Sequence, residues 1–365
     1  MTRYLLAGGG TAGHVNPLLA VADRLSAVHP DSEVLVLGTL EGLEARLVPQ
    51  RGYELVTIAR VVFPRRPNAA ALRFPRAFRD SVADIRRIIV ERKIDALVGF
   101  GGYVSGPAYV AAWREKIPLV VHEANTRPGI ANRLGAVLTT HVGTAFRRTR
   151  LLHSRLVGMP LRREIEELDR AASRTEAIRA FGLDPRKPVL LITGGSQGAM
   201  AINETIWKAA ASVLGAGWQI LHIAGARWER LNSDLVGYQI LQYSDRMDLA
   251  LAAADFAVAR AGAATVSEFS ALGVPAAYVP LPIGNGEQRL NAQDSVDAGG
   301  AIVVANADFT PAWVDHSLVP LLEDRAAVAA MAARALSVGV LDGSDRMVDL
   351  IAEAIALPPS ARRVR

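Results

Sequence analysis

No cysteine occurs among the 365 residues of the chain. That excludes disulfides, thiolate catalysis and cysteine-based zinc or iron–sulfur sites, and it fits a reducing compartment. No stretch reaches the roughly 18 to 20 apolar residues that a bilayer span needs. Residues 1–25 lack the basic start, apolar run and cleavage site of a signal peptide, because Gly8 to Gly13 interrupt the run. Neither a membrane span nor secretion is expected. Acids are also missing where arginines gather: Arg60 to Arg79 holds six arginines and no acid, more positive than the whole chain at +5. A second acid-free basic run lies between Phe146 and Arg163. Either run can meet an anionic surface. Half of the residues are apolar, so a large core is available, and the length favours two domains.

The stretch YLLAGGGTAGHVNPLLAVADRL, Tyr4 to Leu25, runs from a short apolar segment through three glycines into apolar residues at helical spacing. This order predicts a strand, a tight loop and a helix. Glycine lets a backbone approach a ligand closely, and the first amides of a helix are unpaired donors, so such a loop suits a phosphate. A second strand is expected over 33–37 and a short helix over 41–50. Residues 56–79, with Pro64, Pro67 and Pro75 among apolar and basic residues, predict a loop with a short amphipathic element, and a helix follows over 80–93. A strand over 96–100 ends in a second glycine loop, Gly101-Gly102-Tyr103-Val104-Ser105-Gly106.

Further strands at 118–122, 142–145 and 155–157 close the first half at Gly158-Met159-Pro160. The opening unit then repeats: Pro188 to Thr193 runs straight into Gly194-Gly195-Ser196-Gln197-Gly198-Ala199. Strands at 219–224, 238–243, 256–259 and 275–279 continue the alternation. The fold expected is α/β, two doubly wound Rossmann-like domains facing each other across a cleft. Their bounds are 1–160 and 161–345, with 346–365 forming a C-terminal helix that packs back toward the first domain, plus a basic tail.

Gly8-x-Gly10-x-x-Gly13 satisfies the dinucleotide-binding pattern, which makes a nicotinamide dehydrogenase the first reading to test. Such an enzyme carries an acid at the end of its second strand for the ribose hydroxyls. Here that strand ends Leu37-Gly38-Thr39, and Glu41 lies in the following helix. The dehydrogenase reading is therefore disfavoured.

Five motifs occur in order: Gly9-Gly10-Thr11-Ala12-Gly13-His14-Val15-Asn16-Pro17, Gly101 to Pro107, His122-Glu123-Ala124-Asn125, Gly194 to Ala199, and Gly262 to Glu268. With them the chain, from about Tyr4 to Ile355, resembles the UDP-N-acetylglucosamine transferases of peptidoglycan synthesis. The resemblance implies GT-B architecture, with acceptor on the N-terminal domain and nucleotide sugar on the C-terminal one. It implies inverting transfer of N-acetylglucosamine to the C4 hydroxyl of undecaprenyl-diphospho-N-acetylmuramoyl-pentapeptide, forming a β-1,4 bond. It also implies peripheral attachment to the cytoplasmic face of the plasma membrane and other cell-wall or division proteins as partners. No Asp-x-Asp occurs, which speaks against the metal-dependent alternative architecture, so no metal or cofactor is expected.

By resemblance His14 faces the reacting centre. It is either the general base for the muramoyl hydroxyl or an orienting group, and the plain alternative is a helix-capping histidine. Glu268 and Gln288 resemble the donor-site residues that contact ribose and sugar, although Glu268 can also be read as a first-turn acid favoured by the helix dipole. The pair Glu287-Gln288 stands where some members carry two glutamines. Ser196 and Arg162 match positions on the nucleotide diphosphate. Thr11, Ala12, Gly13, Asn125, Ala263, Ala264 and Thr265 match positions around the sugar and leaving group, and Ser244 and Met247 match the uracil pocket.

Gly9, Gly10, Gly101, Gly102, Tyr103 and Ser105 are the expected cradle for the acceptor diphosphate, against tight turns serving packing alone. His122 and Glu123 either assist catalysis or form a buried pair, and Asn291 either binds or packs. Val62, Phe63, Arg65, Arg66, Leu72, Arg73, Phe74, Arg76 and Phe78 form the expected contact with anionic phospholipid, against a solvated basic loop. No nucleic-acid motif is present. The competing functions are another GT-B transferase with a different sugar nucleotide or acceptor, and a non-catalytic nucleotide-sugar-binding subunit.

Overall fold

The computed structural model describes residues 1–61, 63–64, 69–195, 197–282 and 286–358, with only the backbone of 69–71. The chain divides into two compact units, residues 1–162 with 342–365 and residues 163–341. The first holds a seven-stranded sheet: β1 Arg3–Ala7, β2 Glu33–Gly38, β3 Glu54–Thr57, β4 Ala96–Gly99, β5 Leu119–Glu123, β6 His141–Thr144 and β7 Ser154–Leu156. Its order is β3-β2-β1-β4-β5-β6-β7, and every pairing is parallel. The second holds β8 Val189–Thr193, β9 Gln219–Ile223, β10 Tyr238–Leu241, β11 Phe256–Ala259, β12 Ala276–Tyr278 and β13 Ala301–Val303, in order β10-β9-β8-β11-β12-β13 and again parallel.

Parallel sheets are covered by helices on both faces, so their strands are apolar throughout, and alternate side chains enter different cores. In β1, Tyr4 and Leu6 point to the face packed by the helices Ala12–Val28 and Gly343–Ala356. Leu5 and Ala7 point to the other, among residues of Ala69–Glu91 and Ser105–Glu115. Leu5 and Leu6 are fully buried, each worth about 1.5–3 kcal/mol of transfer free energy. Strand order reverses at β1 and β4 in the first sheet and at β8 and β11 in the second. Ligands of doubly wound sheets bind at such switch points, outside the strand carboxyl ends. The glycine loops of the opening stretch and of residues 101–106 follow β1 and β4 and are neighbours for that reason.

Three expected features of the first unit differ in the structure: the short helix expected over 41–50 spans Glu44–Gln50 and leaves Glu41 in the turn before it, and the two others also lie between β2 and β4. Residues 54–57 form β3, and the helix after it runs from Ala69 to Glu91 without a break, through Pro75. The loop with a separate amphipathic element is thus the first part of one long helix. Pro75 lacks the amide that would reach back one turn, yet it is exposed, where water can satisfy the freed carbonyl. The helix Gly343–Ala356 belongs to the first unit: Met347, Val348, Leu350, Ile351 and Ala354 join its core, and Arg24–Asp345 and Arg155–Glu353 pair at 2.5 Å. Gly343 lies against the Met159 carbonyl, where a Cβ would clash. Among the described residues no helix is long and apolar enough to cross a membrane.

Candidate active site

β1 ends at Ala7, Gly8 and Gly9 stay buried, and Gly10 turns at φ +87° before the helix begins at Ala12, with Thr11 extended at its cap. His14 is therefore in the first turn. Its Nδ1 lies 3.1 Å from the Gly9 carbonyl and 3.3 Å from Thr11 Oγ1. A carbonyl only accepts, so Nδ1 carries the proton in this pairing and Nε2 keeps its lone pair. A Cβ built on Gly101 would come within 3.2 Å of Nε2 and Cδ2, and Gly101 sits at φ +90°. Only glycine meets both conditions. A Cβ on Gly102, at φ +89°, would stand 2.6 Å from the Gly9 carbonyl, so the two glycine loops touch backbone to backbone.

The groups beneath these loops are structural. Ser105 is fully buried, and its hydroxyl lies 2.7 Å from the Gly101 carbonyl and 3.1 Å from that of Ala7. It ties the second loop to β1 and does not face a ligand. The Glu123 carboxylate accepts from the Asn125 and Gly129 amides and from Asn132 Nδ2, at 2.9, 3.0 and 2.9 Å. His122 Nε2 lies 3.0 Å from the Gly158 carbonyl and donates to it, while Nδ1 is buried without a partner. Burial pushes the His122 ring down to about 4. His122 and Glu123 thus hold loops separately and do not form a pair with each other. Asn125 is half-buried, its amide on Glu123 and its carbonyl accepting from Thr149 Oγ1. Tyr103 is partly exposed, with the Arg60 guanidinium 4.8 Å from its ring centre. Arg162, half-buried, is the last residue of this unit before the chain crosses over.

In the second unit the turn after β8 is as tight: Gly195 and Gly198 have φ +81° and +74°, and a Cβ on Gly198 would strike the Ala224 carbonyl. Ser196 lies outside the described residues. After β11, Gly262 caps the helix Ala263–Ala271, in which Ala264, Thr265 and Glu268 are half-buried and Ala263 is buried. Glu268 stands beyond the first turn, which contains no acid, so the dipole account of this residue is removed. Gln288 is half-buried and accepts the Leu281 amide at 2.9 Å, whereas Asn291 is buried with Nδ2 3.4 Å from the Ala261 carbonyl. Ser244 Oγ accepts the Arg246 amide, just before Met247 starts the helix Met247–Ala253.

Two positioning residues escape the motif reading. The Glu44 carboxylate is buried and accepts from the Gly10 amide at 2.8 Å, from Thr39 Oγ1 at 2.9 Å and from the Thr39 amide at 3.1 Å. Arg260 Nη1 donates to the Val279 and Pro280 carbonyls and to Asn306 Oδ1, at 2.9, 3.2 and 2.7 Å, joining the loops after β11, β12 and β13. The available signals were an acid within an apolar short helix and an arginine directly before a glycine turn. Glu44 takes the Gly10 amide that a pyrophosphate would need, which speaks against a dinucleotide and equally removes the Gly10 amide from the expected cradle of the acceptor diphosphate.

The model of the glycosyltransferase family 28 N-terminal domain matches residues 4–144, and that of the family 28 C-terminal domain matches 189–347. A protein of Leifsonia xyli subsp. xyli, named UDP-N-acetylglucosamine--N-acetylmuramyl-(pentapeptide) pyrophosphoryl-undecaprenol N-acetylglucosamine transferase, is 65% identical over 96% of this chain and 98% of its own. The chain belongs to glycosyltransferase family 28. A Clavibacter sepedonicus protein of the same name is 58% identical across the full length of both chains. Among solved structures, Acinetobacter baumannii MurG superposes with a TM-score of 0.81 at 29% identity, covering 97% of this family 28 transferase and all of that chain. The architecture is GT-B, with two Rossmann-like domains.

Proposed function

We infer that this family 28 enzyme transfers N-acetylglucosamine from UDP-N-acetylglucosamine to the muramoyl C4 hydroxyl of the undecaprenyl-diphosphate-linked muramoyl-pentapeptide. The observation that carries this is the full-length identity, 65% and 58%, to transferases named for that reaction. On the acceptor side the Nε2 of His14 takes the hydroxyl proton, because Nδ1 is committed to Gly9 and the exposed first turn brings the ring to the loop surface. The amides of Ala12 and Gly13, at the positive end of a 17-residue helix, support the acceptor diphosphate. On the donor side Glu268 accepts from the ribose hydroxyls, Gln288 faces the sugar, and UDP departs toward the first-turn amides of Ala263 to Thr265 without a metal. Displacement at C1 from the opposite face inverts the configuration and gives a β bond.

The membrane reading rests on an aromatic cluster: the Phe63 and Phe74 rings lie 5.2 Å apart, Phe74 and Phe78 5.7 Å, and Leu72 is 86% exposed beside Arg73 and Arg76. This surface rests on anionic phospholipid at the cytoplasmic face of the plasma membrane. Val62, Arg65 and Arg66 lie outside the described residues. UDP release from UDP-N-acetylglucosamine, followed with and without the lipid-linked acceptor, tests the function. Acceptor-dependent release is expected, and release only from another nucleotide sugar would refute the assignment.

A further inference from the structure

Beside the first glycine loop the N-terminal unit has an open-mouthed cavity of about 80 Å³, and its lining includes Gly10, Thr39, Glu41, Glu44, Arg60 and Tyr103. A water needs roughly 10–15 Å³ by the same measure, so the space takes a group the size of one amino-acid residue. Its charges are mixed. Glu44 is committed to Gly10 and Thr39, but Glu41 and Arg60 are exposed. Among the described residues neither of those two pairs with an opposite charge, and the Arg60 guanidinium is held over the Tyr103 ring at 4.8 Å. A diphosphate entering here would meet two carboxylates against one cation. A peptide brings the matching chemistry: a carboxylate or carbonyl for a guanidinium that is already oriented, and N–H donors for Glu41.

We propose that this cavity binds one residue of the acceptor's peptide stem, with Arg60 taking a stem carboxylate or carbonyl and Glu41 a stem amine or amide. The proposal rests on the transferase reading above and adds a determinant of acceptor specificity to it. The adjoining Gly9-Gly10 backbone then separates two subsites. The diphosphate lies on the helix side, at Ala12 and Gly13, and the stem lies on the Glu41 and Arg60 side.

The test compares kcat/KM for two lipid-linked diphosphate acceptors, one with the full pentapeptide and one cut back to the lactyl group, in the wild type, Arg60→Ala, Arg60→Lys and Glu41→Gln. Both positions are exposed, so the variants keep the fold. The wild type should prefer the stem-bearing acceptor. That preference should fall roughly ten- to a hundredfold in Arg60→Ala, the range for losing one charge-assisted hydrogen bond. It should recover in part in Arg60→Lys and fall more modestly in Glu41→Gln. A wild type indifferent to the stem, an unchanged preference in Arg60→Ala and Glu41→Gln, or an equal loss on both acceptors would each overturn the proposal. Transfer to neither acceptor by the wild type would instead sink the transferase reading, and the cavity's assignment with it.

Discussion

His14 is oriented by the backbone it grows from. The Gly9 carbonyl takes its Nδ1 proton, and Gly101 leaves room at Nε2 that any larger residue would fill. Replacing His14 by alanine removes the proposed base without touching the core, so turnover should fall by about 10²–10⁴ while the thermal midpoint stays put. Near-normal turnover on intact lipid acceptor would remove His14 from the mechanism. Two other histidines act on stability. Burial pushes His122 down to about 4 and His222 down to about 3. In His222, Nδ1 faces the Tyr238 hydroxyl at 2.8 Å and Nε2 faces Asn203 Oδ1 at 3.1 Å. The amide oxygen accepts, so Nε2 donates and the neutral ring is the one that fits.

The sign follows from the folded state favouring the uncharged ring. This stability is complete above the unfolded histidine value of about 6.5 and drains away as pH falls toward 4 for His122 and toward 3 for His222, about 3 kcal/mol for the first ring and about 5 kcal/mol for the second. Urea midpoints should therefore drop between pH 7 and pH 4.5, and the drop should be shallower in His222→Gln. An equal drop in that variant would contradict the assignment.

At the scale of elements, the helix Ala69–Glu91 carries the membrane reading. Its N-terminal half presents Leu72, Phe74 and Arg76, while Val82, Ile85 and Ile89 are buried in the sheet's core. The surface charge is partly offset, because Asp80 lies 3.7 Å from both Arg76 and Arg79. Vesicles rich in anionic phospholipid should retain the protein at low salt and release it at high salt, and Leu72→Ser with Phe74→Ser should weaken retention. Failure to sediment with such vesicles at low salt would end the reading.

This helix also marks where sequence patterning stops. Strand-glycine-helix units are local, with the loop a few residues from the strand it ends, so both opening units were visible. Pro75 reads as a breaker in isolation, and only its exposed position in the folded helix shows why it is tolerated. Glu44 and Ser105 were opaque for another reason. Each also has a near partner, Thr39 and Gly101, but the partners that join separate loops lie 34 and 98 residues away in the chain, at Gly10 and Ala7, and no spacing rule links those. Arg260 joins three loops through backbone carbonyls and one amide oxygen, and backbone partners leave no sequence signature.

At the scale of the molecule, one construction is used twice. Each unit places two glycine turns at the switch point of a parallel sheet, after β1 and β4 in the first and after β8 and β11 in the second. The chain returns to the first unit for its last helix. In the proposed mechanism the N-terminal unit supplies His14 as base and the loops for the acceptor, and the C-terminal unit supplies Glu268 and Gln288 for the nucleotide sugar. The proposed reaction is tested most directly by the structure of its product. After incubation with UDP-N-acetylglucosamine and the lipid-linked muramoyl-pentapeptide, the isolated saccharide should be a disaccharide with N-acetylglucosamine β-linked to the muramoyl C4. An α linkage, attachment at another hydroxyl, or recovery of unmodified acceptor would contradict the account.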